Sequence, residues 1–228
     1  MSNIVYNTIT FDPKDVDRVR ELMVSPENEF DFNSVIPMPE SLDIVSGSAT
    51  TDAFDLLAGK PVDEKHYPDT GDEPDASVFY GGKHSPQTLP ELRVFARLIE
   101  ANKKLYGCSD WYAWRNRYWD TKWNACSVEW GPNTVYFETA WDTPTPVFEA
   151  LSRKLGIRFE ATAEEETLAF CSVIEFDNGE IVSRIEASGI EGLALLGLSR
   201  EEIIDRYEAY CDDEEMEDLN AALDAIFA

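Results

Sequence analysis

Residues 125–141 read "ACSVEWGPNTVYFETAW". Two runs suited to extended backbone flank Gly131-Pro132-Asn133, a turn triplet that closes a hairpin. Downstream, "TPTPVFEALSRKLG" predicts a helix opened by Thr145-Pro146 and ended by Gly156. "IRFEATAEEE" then alternates, with Ile157, Phe159 and Ala161 turned inward. "TLAFCSVIEFDNGEIVSRIEAS" predicts a second hairpin about Asp177-Asn178-Gly179. Residues 125–187 therefore run β-β-α-β-β-β. At the start of the chain, "NIVYNTITF" alternates Ile4, Tyr6 and Thr8 against Val5, Asn7 and Ile9, a strand pattern. "DPKDVDRVRELM" follows as a helix, with Asp12 as N-cap, Pro13 in its first turn, and Val16, Val19 and Met23 on one face. This order predicts an α+β protein: an antiparallel sheet with helices packed on one face, in a ferredoxin-like split βαβ arrangement.

Between these blocks the pattern is weaker. "FDFNSVIPMPESL" reads as a short extended segment stopped by Pro37 and Pro39, and "TTDAFDLLAG" as a short helix capped by Thr51 or Asp52. Residues 60–88, rich in Pro, Gly and Asp, read as a loop insertion with a short strand at Val78–Tyr80. Its carboxylates Asp69, Asp72, Glu73 and Asp75 lack the EF-hand spacing, so a solvated loop is expected. "LPELRVFARLIEANKKLYG" is a clear helix, with Leu92, Phe95, Leu98, Ile99 and Leu105 on one face. "DWYAWRNRYWDTKWNAC" (110–126) follows, and a helix there should end near Tyr118 because two aromatic faces cannot both be buried under one sheet. Trp111, Trp114, Tyr118, Trp119 and Trp123, with Trp141, are expected to form a structural aromatic hub. The alternative is a stacking platform for single-stranded nucleic acid, with Arg115, Arg117 and Lys122 for phosphate. The last stretch predicts two acidic helices, with Ser199 and Glu202 forming a capping box. The expected organisation is one domain over 1–187, with its insertion at about 60–88, and a helical extension over 188–228.

Charge narrows the function. The chain of 228 residues carries 45 acidic and 19 basic residues, net −26. Residues 160–228 hold 20 of the acidic and 3 of the basic, so net −17 falls in this segment and −9 in the rest. Such a field repels nucleic acid and anionic lipid and attracts basic surfaces. No apolar run reaches membrane-span length and no secretory pattern opens the chain, so the cytosol is expected. Cys108, Cys126, Cys171 and Cys211 are scattered, which predicts reduced, mostly buried thiols. With only His66 and His84 besides, no metal site and no cofactor are expected. Phosphate-loop, dinucleotide and hydrolase motifs are absent. For a small-molecule enzyme the best candidates are Glu129 and Glu138, on the two strands of one hairpin. If buried together, one would serve as general acid. The plainer expectation is that both face solvent.

Two stretches also carry a resemblance. Trp119, Thr121, Lys122, Trp123, Asn124 and Ala125, then Phe137, Glu138, Thr139, Ala140, Trp141, Pro144 and Pro146, resemble the YubB-like proteins of plasmids and phages. The likeness spans about residues 1–175 and departs at Asp120, where that family has glycine, a position suited to positive φ. It implies a ferredoxin-like fold and a mobile-element setting, with no catalytic residues. Charge and resemblance together give the expectation of a non-enzymatic cytosolic protein. It would bind a host protein with a basic, nucleic-acid-binding surface, such as a defence nuclease complex whose DNA site carboxylates can mimic. The expected contact residues are Glu201, Glu202, Asp205, Glu208, Asp212, Asp213, Glu214, Glu215, Glu217 and Asp218.

Overall fold

The computed structural model describes residues 3–63, 65–208 and 213–228. Its strands are β1 (Ile4–Phe11), β2 (Cys126–Trp130), β3 (Thr134–Ala140), β4 (Arg158–Glu165), β5 (Cys171–Asp177) and β6 (Glu180–Ala187). Its helices are α1 (Val16–Met23), α2 (Ser48–Leu57), α3 (Leu89–Tyr106), α4 (Trp111–Tyr118), α5 (Thr145–Leu155), α6 (Gly189–Leu195), α7 (Arg200–Glu208) and α8 (Asp213–Ile226). The chain forms two compact units, one of residues 1–35 with 123–228, the other of 36–122.

The first unit is built on a six-stranded sheet of order β2-β3-β1-β4-β5-β6, antiparallel throughout. Its first four strands with α1 and α5 run β-α-β-β-α-β in sheet order 2-3-1-4, the ferredoxin-like arrangement. The hairpin β5-β6 extends this core beyond β4. Period-two alternation decides which side is buried. Val5, Ile9 and Phe11 of β1 pair with Thr139 and Val135 of β3 and with Glu165, Ala161 and Phe159 of β4, all on the covered face. Phe148 of α5 fills that face, its ring 5.7–6.3 Å from those of Phe137, Phe159 and Phe176. α1 lies beside α5, where Arg18 donates to the Leu155 carbonyl at 2.8 Å. The turns follow their residues: Asn178 and Gly179 take φ of 50° and 84°, as a two-residue hairpin turn requires.

The acidic C-terminus lies against the opposite face. A Cβ on Gly192 of α6 would stand 2.7 Å from Cys171 Sγ, so only glycine permits that approach. Arg206 of α7 pairs with Glu164, the β4 neighbour of Cys171. Leu193, Ile203, Leu219 and Leu223 pack α6, α7 and α8 on one another.

The second unit is helical. Ile44, Ala53, Tyr67, Phe79, Leu92, Phe95 and Ile99 form its core around α2 and α3. α4 is tied to the end of α3 by the Tyr118 hydroxyl, which donates to the Tyr106 carbonyl.

Several local expectations change. The inserted unit spans 36–122 and not only 60–88, because residues from Ile44 to Ile99 bury a core of their own. Residues 188–228 belong to the sheet's unit and, among the described residues, hold three helices. Asp15, not Asp12, precedes α1; Asp12 holds a turn instead, its carboxylate accepting from the Lys14 amide. Phe32–Ser34 is a 3-10 turn rather than extended, and Ala76–Gly82 is 3-10 where a strand was expected at 78–80. Leu105 is exposed, since the buried stripe of α3 ends at Asn102. Asn102 is satisfied there by Ser41 on both its oxygen and its nitrogen.

Candidate functional site

The aromatic segment divides at the boundary between the two units. In the helical unit, Asp110 caps α4 by accepting from the Ala113 amide at 3.0 Å. Trp114 and Trp119 are buried with ring centroids 5.5 Å apart, and Tyr118 lies 5.0 Å from Trp114. The Trp119 indole donates to the Ile36 carbonyl at 3.0 Å. The Arg115 guanidinium lies over Trp111 at 5.1 Å and Trp119 at 5.2 Å, a cation–π arrangement. Trp111 and Tyr118 are half-buried. Trp123 and Trp141 belong to the sheet unit. Trp141 does not join a buried hub: it is exposed, at φ 74°, where the end of β3 turns away from the sheet. Asp120, at the position where glycine was expected, takes φ 60°.

In the loop 60–88 the carboxylates meet cations and caps. Arg97 holds Glu73, Arg93 lies 3.6 Å from Asp69, and Asp75 accepts from the Ser77 amide. A cavity of about 430 Å³ beside it is lined by Asp52, Asp55, Asp63, His66 and Tyr67, and the Tyr67 hydroxyl donates to Asp52. Among the described residues no His, Cys, Asp and Glu are grouped to hold a metal ion, and no helix is long and apolar enough to cross a membrane. Cys108 and Cys171 are buried thiols and Cys126 a half-buried one. Burial, then the nearby Glu164 carboxylate, pushes the Cys171 thiol up to about 11, which keeps it protonated and unreactive. Cys211 and Asp212 lie outside the described residues.

The second face of the sheet is the surface with a consistent chemistry. Its β1 and β3 residues are Tyr6, Thr8, Thr134, Tyr136 and Glu138, which alternate with the buried set and are half-exposed. Glu129 stands opposite Tyr136, and Cys126, not Glu129, opposite Glu138, because a bulge shifts β2 between them. Glu160, Glu164 and Glu175 continue the face on β4 and β5. The strand cation on it is Arg158, which Glu175 holds at 2.6 Å. Glu138 accepts from Ser127 at 3.0 Å and from the Tyr136 hydroxyl at 3.2 Å. Burial, then the Glu138 charge, pushes the Tyr136 phenol up to about 12, so it stays a neutral donor. Glu129 and Glu138 thus sit on an open surface, as the plainer expectation had it.

α7 borders this face through the Arg206–Glu164 pair. Of the expected contact carboxylates, Glu201, Asp205 and Asp218 are exposed. Glu202 is exposed but engaged: it accepts from the Ser199 amide and hydroxyl, each at 2.8 Å, completing the capping box. Those bonds hold its carboxyl below the usual range. Glu208 closes α7, and Asp213, Glu214, Glu215 and Glu217 fall in α8. Sequence reasoning put the acidic surface on these helices alone. It missed the sheet face, although Glu129, Glu138, Glu160 and Glu164 share one parity with Tyr6 and Tyr136 once the register is known.

Residues 118–221 match the family model described as the ferredoxin-like domain in Api92-like protein. The search of curated proteins finds no match. Among solved structures, the protein api92 from Yersinia pseudotuberculosis aligns over 83% of this chain and 99% of its own, at 12% identity and a TM-score of 0.44. The matched segment begins at the end of α4 and contains β2 through α7, so it takes in most of the sheet.

Proposed function

We propose that this protein is a non-enzymatic binding protein whose open sheet face and adjoining α7 take up a basic surface of another protein. The observation that carries the reading is the composition of that face. Glu129, Glu138, Glu160 and Glu164 stand among Tyr6, Tyr136, Thr8 and Thr162, and the one strand arginine there already has a carboxylate. Tyrosines give rigid contact area and neutral hydroxyl donors, while glutamates select arginine and lysine. A partner that itself reads phosphate fits this chemistry best. The resemblance to YubB-like proteins adds the setting: a mobile element in a host cytosol, with a host defence complex among the targets.

The nucleic-acid platform is disfavoured by geometry. Trp114 and Trp119 are buried, so two of the four tryptophans have no face to offer a base. The enzyme reading is less favoured, because Glu129 and Glu138 lie on the open side of the sheet and are not paired with each other.

The test is affinity capture from nuclease-treated bacterial lysate at low salt, run in parallel with a Glu129→Lys, Glu138→Lys, Glu160→Lys variant. The parent should retain a basic nucleic-acid-binding protein that duplex DNA displaces, and the variant should lose it at least tenfold. Equal recovery by parent and variant would show that the sheet face is not the contact.

A further inference from the structure

β6 closes one side of the sheet; α5 approaches its start and α6 its end, and the strand between is left uncovered by them. Every residue from Glu180 to Glu186 is exposed, on both faces of the strand. Among them Ile181, Val182 and Ile185 are 37%, 51% and 55% exposed. Among the described residues, β6 has no backbone hydrogen bond beyond its ladder with β5. An eight-residue strand therefore presents a row of free amides and carbonyls beside three large aliphatics. Natural sheets usually blunt such an edge with proline, charged side chains (lysine above all), bulges or a short strand. β6 has no proline or lysine, and its two charges near Ile185 are of opposite sign. The other edge is treated differently. β2 has only five residues, and Asn28 and the Glu29 carbonyl bond to Ala125 and to the Trp130 indole across its ends. β6 has a bulge at Val182, but its run from Ser183 to Ala187 is regular.

We propose that β6 is a self-association edge, at which two copies of this chain pair antiparallel about a twofold axis through Ile185. The charges choose both the occupant and the register. Arg184 and Glu186 lie on the same side of the strand and already bond to each other at 2.9 Å. With Ile185 facing its own copy, each Arg184 faces the partner copy's glutamate, giving two cross-strand ion pairs on one face and an isoleucine pair on the other. Centring instead on Ser183 brings the Val182 bulge into the pairing, and centring on Arg184 sets two arginines together, which repel. The axis is perpendicular to the sheet, so both open acidic faces end on the same side. The dimer doubles the six-stranded sheet and the surface offered to a basic partner, but the association itself does not depend on that partner. Strand pairing alone buries a modest area, so the affinity belongs in the micromolar range.

Sedimentation velocity over a concentration series tests the association. Twice the monomer mass is expected at the upper concentrations, and a monomer throughout would overturn the proposal. Arg184→Glu should weaken the dimer tenfold or more, and adding Glu186→Arg should restore it. Failure of the swap to restore would refute the register. Under a mild oxidant, Ile185→Cys should give a disulfide joining the two substituted positions, identified by peptide mapping. Ser183→Cys should not, because that register sets its copies about 13 Å apart, beyond the reach of about 7 Å between Cα atoms. Linkage at position 183 in place of 185 would also refute it.

Discussion

Glu165 shows how much of this fold depends on single polar groups. It is almost fully buried at the end of β4. It accepts from Asn3 at 2.6 Å, from the Thr167 amide and hydroxyl at 2.8 and 2.6 Å, and from the Ala169 amide at 3.1 Å. Burial alone would raise its carboxyl, but the bonds from Thr167, Ala169 and Asn3 outweigh it and hold the group below 4.5. A lowered folded-state value means stability that is present above the unfolded value and lost as pH falls through the folded one. Glu165→Gln should therefore cost about 2 kcal/mol near neutral pH. The gap to the parent should shrink as pH drops below 4.5, measured by urea unfolding at a series of pH values. A constant gap would mean that the charge does not matter there. Asp120 is a second such residue. Its φ of 60° suits glycine, asparagine or aspartate and not a β-branched side chain. Asp120→Val should lose about 1–2 kcal/mol and Asp120→Asn far less, read from thermal unfolding midpoints. Trp119 is fully buried, so Trp119→Ala leaves a large cavity and should cost about 3–5 kcal/mol in the same measurement.

At the scale of elements, helices and strands were legible where one periodicity dominates. β1, the β2–β3 hairpin, α5 and the β5–β6 hairpin lie where alternation, Thr145-Pro146, Gly156 and Asn178-Gly179 put them, and their order alone implied the ferredoxin-like core. What failed was segments whose burial comes from partners distant in sequence. Phe30, Phe32 and Phe79 look like strand residues, yet each is a buried anchor in or beside a 3-10 turn. The candidate face was illegible for a related reason: Glu138 and Glu164 come to flank Tyr6 only through the pairing of both strands with β1. Gly192 carries a similar long-range constraint. The Cβ of Gly192→Ala would meet Cys171 Cβ at 2.8 Å and the Ala187 carbonyl at 3.1 Å, neither of which can swing aside. That variant should lift α6 from β5 and β6 at a cost of about 1–3 kcal/mol. Amide exchange should speed up in α6 and α7 while β1 and β3 stay protected. Unchanged exchange in α6 would show that the approach is looser than the geometry requires.

Over the molecule as a whole, charge sets the terms. Residues 160–228 contain three arginines, and each is already taken: Arg184 by Glu186, Arg200 by Asp224 and Arg206 by Glu164. With 20 acidic residues in the same segment, the remaining carboxylates repel one another with no local cation left to offset them. Self-repulsion of this kind opposes the compact state and is screened by salt, the Debye length falling from about 10 Å at 0.1 M to about 3 Å at 1 M. Salt also weakens the three arginine pairs, but surface pairs contribute little and are few beside the repulsive terms. The balance therefore predicts that raising sodium chloride stabilises the protein. The gain should be largest in α6 and α7 and small in the buried ladder of β1 with β3. Amide exchange at low and high salt would resolve this by region. Faster exchange of α7 at high salt would mean that the Arg206–Glu164 pair, and not repulsion among the carboxylates, governs how the acidic helices sit on the sheet. A basic partner covering the face should act as salt does, slowing exchange in α7 and along the open side of β4, because it supplies the cations this segment lacks.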